Sequence, residues 1–296
     1  MATKKMTVPR VRARKGGEKL RMVTAYDHPT ARIADRAGAD IILVGDSLGN
    51  VVLGHDDTLG VSIDDMVHHT AAVSRAEPSA LVVADMPWLS FHVSVAEAVR
   101  NAGRLVREGG AEAVKLEGGR KRLPVIRALR DAEIPVMGHL GLTPQSVHAM
   151  GGYRVQGREA YAAYELLSDA HALAEAGVFA IVLEGVPDLV AETVTEQVPV
   201  PTIGIGAGPA CDGQVLVFHD VVGLGDAEGL PKFVRRYAAL ADEAVDALRR
   251  FFDDVASGSF PAETETYHMP EESADIFREM IGRVGDDLFA DEAMDR

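Results

Sequence analysis

The chain has 296 residues, 47% of them hydrophobic and 25% charged, which is the profile of a soluble globular protein and leaves room for either two average domains or one α/β barrel. With Lys+Arg 30 against Asp+Glu 45 the net charge is −15, so a general phosphate-backbone binder is excluded and nucleic acid is not an expected partner. The single cysteine, Cys211, excludes an intrachain disulfide and a CxxC motif, and neither an apolar run of the ~18 residues a membrane helix needs nor an apolar signal core is present, so the expectation is a cytoplasmic protein without membrane association.

Taken in chain order, short β-branched runs alternate with amphipathic stretches. The runs are MVTAYD (22–27), IILVGD (41–46), LVVADMP (81–87), AVKLEG (113–118), VMGHL (136–140), AIVLEG (180–185), TIGIGAG (202–208) and VLVFHDVV (215–222). Continuous apolar runs, rather than strict alternation, mark strands covered on both faces, as in parallel sheets. Helical patterns fill most of the gaps: Pro29 to Gly38, Ser62 to Arg75, Ser94 to Gly109, Arg120 to Ala132 and Arg158 to Gly177, with Ser62 and Ser94 placed as N-caps. The seventh gap, Gly208 to Gln214, is too short for a dependable helix. Eight such units without a Pro- or Ser-rich linker predict an α/β fold, a closed (β/α)8 TIM barrel rather than an open doubly wound sheet. Pro231 to Val255 reads as a long closing helix, because Leu230, Phe233, Val234, Tyr237, Leu240, Ala241 and Ala244 recur at helical spacing. Residues 1–268 are assigned to the barrel, and 269–296 to an acidic C-terminal extension outside the core.

In a barrel the site is built where strands pass into the following loops, so the last residues of each strand are the ones to inspect. They are polar: Asp27, Asp46 with Ser47, Asp85, Lys115 with Glu117, His139, Glu184 and Asp220. One carboxylate at such a position is a helix cap, as Asp27 is expected to be ahead of His28 and Pro29. A whole rim of them requires metal binding, pairing or proton chemistry, since an unpaired buried charge is costly. Asp46, Asp85 and Glu117 offer hard oxygen ligands with no accompanying cysteine, which suits Mg²⁺. Lys115 and Glu117 are two residues apart, hence on one face, and Lys115 can either pair with Glu117 or hold an anionic substrate. His139 is open between ligand, proton donor and a histidine satisfied by main chain, whereas His68 and His69 lack an HExxH context and read as structural or peripheral. Two motifs are set aside. Gly204 to Pro209 starts like GxGxxG but ends in proline, although its main-chain N–H groups suit an anion. Gly45-Asp46-Ser47-Leu48-Gly49 fits both GxSxG and the GDSL pattern of serine esterases, yet it ends the second strand, and the one Asp-x-x-His, Asp65 with His68, follows too closely.

The ordered set TAYD (24–27), VGDSLGN (44–50), DMP (85–87), VKLEGG (114–119), GHLGLTPQS (138–146), GGYRVQG (151–157), VLEGVP (182–187), IGIGAG (203–208), CDGQVLVFHD (211–220) and FPAETETYH (260–268) resembles the ketopantoate hydroxymethyltransferase family over about residues 7 to 268. The resemblance implies a barrel of the phosphoenolpyruvate/pyruvate-binding type, Mg²⁺, and transfer of a one-carbon unit from 5,10-methylenetetrahydrofolate, or a modified pterin, to 3-methyl-2-oxobutanoate on the route to pantothenate and coenzyme A. Carried onto this chain it implies metal binding at Asp46 and Asp85 with Glu117 in the outer metal environment, substrate contacts from Ser47 and Lys115, and Glu184 as the base, with His139 in a substrate-contacting motif. It further implies a homo-oligomer, commonly a decamer, and small-molecule substrates. The acidic tail departs from it.

The residues fit that chemistry on their own terms. A 2-oxo acid can chelate Mg²⁺ through its carboxylate and ketone oxygens, the metal stabilises the enolate, and a carboxylate removes the neighbouring C–H proton. Three readings compete with it: a GDSL-like esterase acting through Ser47, a Mg²⁺-dependent oxo-acid lyase or mutase barrel, and a noncatalytic binding barrel. The second would carry a family cysteine, whereas Cys211 lies in CDGQ, and the third has no need of so many polar strand ends.

Overall fold

Eight of the apolar runs pair side by side in parallel and close on themselves: β1 (Leu20–Thr24), β2 (Ile41–Val44), β3 (Leu81–Asp85), β4 (Ala113–Glu117), β5 (Val136–Gly141), β6 (Ala180–Glu184), β7 (Thr202–Ile205) and β8 (Gly213–Leu216). The ring closes through β1 on β8, where Leu20 to Val23 face Gly213 to Leu216. The computed structural model describes residues 4–225 and 229–292, and its contacts divide the chain into a unit ending at Leu240 and another starting at Ala241.

Helices follow the strands in the order α1 (Val8–Arg12), α2 (His28–Arg36), α3 (Leu48–Val51), α4 (Ile63–Ser74), α5 (Val95–Arg107), α6 (Leu123–Asp131), α7 (Val147–Met150), α8 (Ala160–Ala176), α9 (Asp188–Gln197), α10 (Phe218–Val222), α11 (Leu240–Ser257) and α12 (Glu271–Glu292). The capping signals hold. Asp27 accepts from Thr30 N at 2.8 Å, Ser62 from Asp65 N at 3.2 Å and Ser94 from Glu97 N at 3.1 Å, each satisfying a main-chain donor that the first helical turn leaves open. The 206–212 connection carries no helix. No helix among the described residues is long and apolar enough to cross a membrane.

Both faces of the sheet are covered, which is why the strands read as unbroken apolar runs. Outward residues such as Ile42, Val44, Val82, Ala84, Val114 and Leu116 pack with Ala98, Ala102, Leu105, Ile126 and Leu173 of the surrounding helices. Inward residues Leu20, Met22, Ile41, Leu43, Leu81, Val83, Met137, Val182, Ile203 and Val215 fill the barrel, and Val11 of α1 joins them from the end where the strands begin. That base is tied further by the N-terminal segment. Met6 N donates to Ser79 O at 2.7 Å, and Lys5 Nζ donates to Ala80 O at 2.8 Å and Pro78 O at 3.0 Å, just ahead of β3. Lys15 pairs with Asp212 at 3.0 Å and Lys19 donates to Cys211 O, just ahead of β8.

Two expectations from the sequence are corrected. VLVFHDVV is not one strand: it leaves the sheet after Leu216 and turns into α10, whose Phe218 N donates to Thr24 Oγ1 at 2.9 Å. A short apolar run does not by itself distinguish a strand from a buried helical turn. The helix expected from Pro231 starts instead at Leu240, and from Ala241 on it belongs to the second unit. Described residues 229–239 form an irregular strap, with Val234 N on Pro231 O and Tyr237 N on Val221 O, both near 2.9 Å. Phe233 seats against Gly206, where a Cβ would come within 2.5 Å of the ring. The apolar residues that share helical spacing are thus used to seat a loop.

The second unit, taken by itself, comprises most of α11, a 3₁₀ turn at Glu263–Glu265 and α12. Within it Phe251 meets Phe260 edge-on, with ring centroids 5.2 Å apart. Residues 293–296, the end of the acidic extension, lie outside the described residues.

Candidate active site

Strand register decides which side chains meet. Along β3 the inward residues are Leu81, Val83 and Asp85, along β4 Ala113, Lys115 and Glu117, along β5 Met137 and His139, and along β6 Ala180, Val182 and Glu184. Asp85 stands opposite Lys115 and Glu117 opposite His139, so apolar layers near the base give way to a polar layer at the carboxyl end. Asp46 and Ser47 enter that layer from the turn after β2. Together with Asp85, Lys115, Glu117, His139 and Glu184 they line one cavity of about 1040 Å³, to which α10 adds Asp220 and the strap adds Lys232 and Phe233. Asp27 does not join them, being engaged as the cap of α2.

Asp46, Asp85 and Glu117 are each held on one side by a main-chain or amide donor. Asp85 Oδ2 accepts from Asp46 N at 3.0 Å, while Oδ1 pairs with Lys115 Nζ at 2.8 Å. Glu117 Oε2 accepts from Gln145 N at 3.0 Å, and Oε1 lies 3.4 Å from His139 Nδ1. Asp46 Oδ2 accepts from Gln145 Nε2 at 2.7 Å. His139 Nδ1 also lies 3.3 Å from Lys115 Nζ, and Nε2 reaches Glu184 Oε2 at 3.2 Å. All of these groups are buried except Glu184, whose side chain keeps 17% exposure toward the cavity.

The electrostatics follow from packing like charges out of water. Burial, then the charges of Asp85 and Glu117, push the Asp46 carboxyl well above the usual carboxylate range, against the opposing pull of Lys115 and the Gln145 amide. Burial works against the Lys115 ammonium, but Asp85, Glu117 and Asp46 outweigh it and hold its pKa above the ordinary range. Burial and Lys115 disfavour protonation of His139, yet hydrogen bonds to Glu117 and Glu184 prevail and its pKa is raised to about 9. The imidazole is therefore charged at neutral pH, bridging two carboxylates.

This donor set fits a hard divalent cation. Asp46, Asp85 and Glu117 supply oxygen only, and Asp46 Oδ1 keeps no protein partner among the described residues. Among the described residues no three His, Cys, Asp or Glu side chains converge into a ready-made cage. A hard cation takes oxygen ligands and can complete its shell with water and substrate oxygens.

The other expected residues fall into place. Ser47 Oγ shares a 2.8 Å hydrogen bond with the buried Tyr26 hydroxyl, and no histidine hydrogen-bonds to it among the described residues. Asp65 of the Asp-x-x-His pair is taken up in capping α4, so a Ser-His-Asp triad does not assemble. His69 is structural as expected, its Nδ1 lying 2.6 Å from Tyr26 O. Gln145 and Tyr26 are the members that reading the sequence overlooks. Both sit inside quoted segments, TPQS and TAYD, but an amide and a phenol carry no signal of their own until neighbouring strand ends are brought against them.

A family model described as ketopantoate hydroxymethyltransferase matches residues 5–263. The chain is 58% identical over 264 residues to the 3-methyl-2-oxobutanoate hydroxymethyltransferase of Moorella thermoacetica, covering 89% of this chain and 98% of that protein. Against the protein of the same name from Pelobacter propionicus it is 54% identical over 266 residues, covering 90% and 98%. Among solved structures it is similar to 2,3-dimethylmalate lyase, a PEP mutase/isocitrate lyase superfamily member, with 18% identity, a TM-score of 0.56, and coverage of 96% of this chain and 98% of that one. It is similar also to phosphonopyruvate hydrolase in complex with oxalate and Mg²⁺, with 16% identity, a TM-score of 0.56 and coverage of 96% and 97%. At such identities the likeness shows the barrel fold alone, whereas the matched model and the relatives above one-half identity settle the lineage: the chain belongs to the ketopantoate hydroxymethyltransferase family.

Proposed function

We propose that this chain transfers a hydroxymethyl unit from 5,10-methylenetetrahydrofolate, or a modified pterin serving the same purpose, to 3-methyl-2-oxobutanoate, giving 2-dehydropantoate. The observation that carries the reading is the ring of Asp46, Asp85, Lys115, Glu117, His139 and Glu184 around a single cavity in a chain of this family. Asp46 and Asp85 are the residues that would hold Mg²⁺, with Glu117 behind them. When bound, the cation would withdraw electrons from the 2-oxo group and so acidify the C3–H bond.

The remaining steps belong to side chains. Lys115, the buried ammonium of the rim, offsets the substrate carboxylate, and Ser47 supplies a hydroxyl beside it. Glu184 is the one acid of the ring that keeps exposure to the cavity, with Oε2 steered by His139 and Oε1 available to take the C3 proton. C3 then forms the new C–C bond to the one-carbon unit as that carbon's two bonds to the folate nitrogens break; water supplies the product hydroxyl, and tetrahydrofolate leaves carrying the proton taken from C3 and the second proton of the water. Lys115, paired with Asp85 at 2.8 Å, sets a positive charge among the acids of the rim. The protein is proposed to work in the cytoplasm as a homo-oligomer, commonly a decamer in this family.

Incubation with Mg²⁺ and 3-methyl-2-oxobutanoate in deuterium oxide, with and without the folate, tests the reading. The expected result is deuterium at C3 without the folate and 2-dehydropantoate with it. Cleavage of a C–C bond in the oxo acid, or neither exchange nor product, would overturn it.

A further inference from the structure

Gln145 lies in the 3₁₀ turn Pro144–Ser146 after β5, yet it touches the ends of three other strands. Its Nε2 donates to Asp46 Oδ2 at 2.7 Å and to Met86 O at 3.0 Å, and its main-chain N donates to Glu117 Oε2 at 3.0 Å. The residue is buried, and it stands behind the acids without lining the cavity. The direction of its amide is settled by chemistry: Nε2 faces two acceptors, whereas turning the group over would set its carbonyl oxygen against both. Oε1 is left buried without a partner, which is a cost that an ordinary loop side chain does not bear.

We propose that Gln145 is a positioning residue that aims the Asp46 carboxylate into the cavity. With Oδ2 held from behind, Oδ1 is the oxygen left facing the space where a cation and the oxo acid would sit. The same residue, through its main chain, turns Glu117 so that Oε1 reaches His139. One turn after β5 thereby sets the acids of the turn after β2 and of β4 in a common orientation, and Met86 O anchors the amide to the turn after β3. The inference rests on the proposed cation site. It goes beyond that proposal by naming a residue that touches neither the cation nor the substrate. Groups that orient ligands in this way commonly carry about 10- to 100-fold in metal affinity.

The test is calorimetric titration of the full chain with Mn²⁺ and with Mg²⁺, without turnover, comparing wild type, Gln145→Met, Gln145→Glu, Asp46→Asn and the double variant Gln145→Met/Asp46→Asn. Thermal unfolding of the cation-free proteins is followed in parallel. Gln145→Met removes the donor and keeps the length, while Gln145→Glu keeps the shape and serves if the first variant folds poorly. Both are expected to bind cation at least ~10-fold more weakly while unfolding cooperatively. In the Asp46→Asn background the second substitution should cause no further loss, because its effect passes through Asp46. Wild-type affinity in both Gln145 variants, or losses that add in the double variant, would overturn the positioning role. If wild type itself binds neither cation, the cation site falls and this inference falls with it, an outcome distinct from the other two.

Discussion

At the residue scale the site is a set of carboxylates, each with one oxygen tied down and the other turned to its task. Glu184 shows the consequence most directly. Glu184→Gln keeps its shape and its place beside His139 but loses the proton acceptor, so exchange of the substrate C3 proton with deuterium oxide should slow at least ~100-fold. Cation binding should persist. Near-wild-type exchange would overturn the assignment of Glu184 as the base. Asp40, at the opposite end of the barrel, gives a pH prediction. Its carboxylate accepts from Arg21 N and Nε at 2.9 Å each and from Nη2 at 3.1 Å. Burial opposes ionisation, but the Arg21 hydrogen bonds and charge outweigh it and hold the carboxyl below its ordinary range. A lowered carboxyl contributes stability that is complete above its unfolded value, about 3.9, and is lost as pH falls through the folded value. Asp40→Asn should therefore lower Tm at pH 7 and lessen the further loss of stability below about pH 4. Parallel pH profiles for the two proteins would contradict this. The rim acids were legible from sequence because a carboxylate that ends an apolar run has few other reasons to be there. Gln145 was not, because a glutamine after a proline is an ordinary loop residue until three strand ends close around it.

At the scale of elements, parallel strands announced themselves because burial on both faces removes polar alternation. The same property hid α10, since the apolar residues that leave β8 keep the run unbroken while the backbone changes from extended to helical. The strap at 229–239 was missed for a related reason: spacing records which residues find a partner, not the backbone path that brings them there. Gly206 makes that path possible. Its φ of +63° strains any residue with a side chain, and a Cβ there would meet the Phe233 ring at 2.5 Å. Gly206→Ala should unseat Phe233 and raise amide exchange at Val234 and Tyr237 by ~10-fold or more, while the β2–β4 amides stay protected. Unchanged exchange at those two amides would show that the strap is held by other contacts.

For the whole molecule, the matched family segment ends at residue 263, and the acidic stretch beyond it has too few apolar groups to form a core alone. We propose that 269–296 is an appendage to catalysis, so a chain truncated after Met269 should retain turnover; loss of turnover in a truncated protein that still assembles would show that the tail serves the site. Barrel architecture was readable from the rhythm of eight units, but the boundary after Leu240 was not, because it depends on where contacts thin out and not on a change in composition. The two ends of the barrel also have separate duties. Lys5, Lys15 and Lys19 bind main chain and acid just ahead of β3 and β8, whereas the cavity opens where the strands finish. A tether joined ahead of Lys4 would attach at the face remote from the cavity. Protein immobilised through its N-terminus on a sensor surface should then present an unobstructed mouth to small molecules, and a carrier fused at that end should leave the reaction untouched.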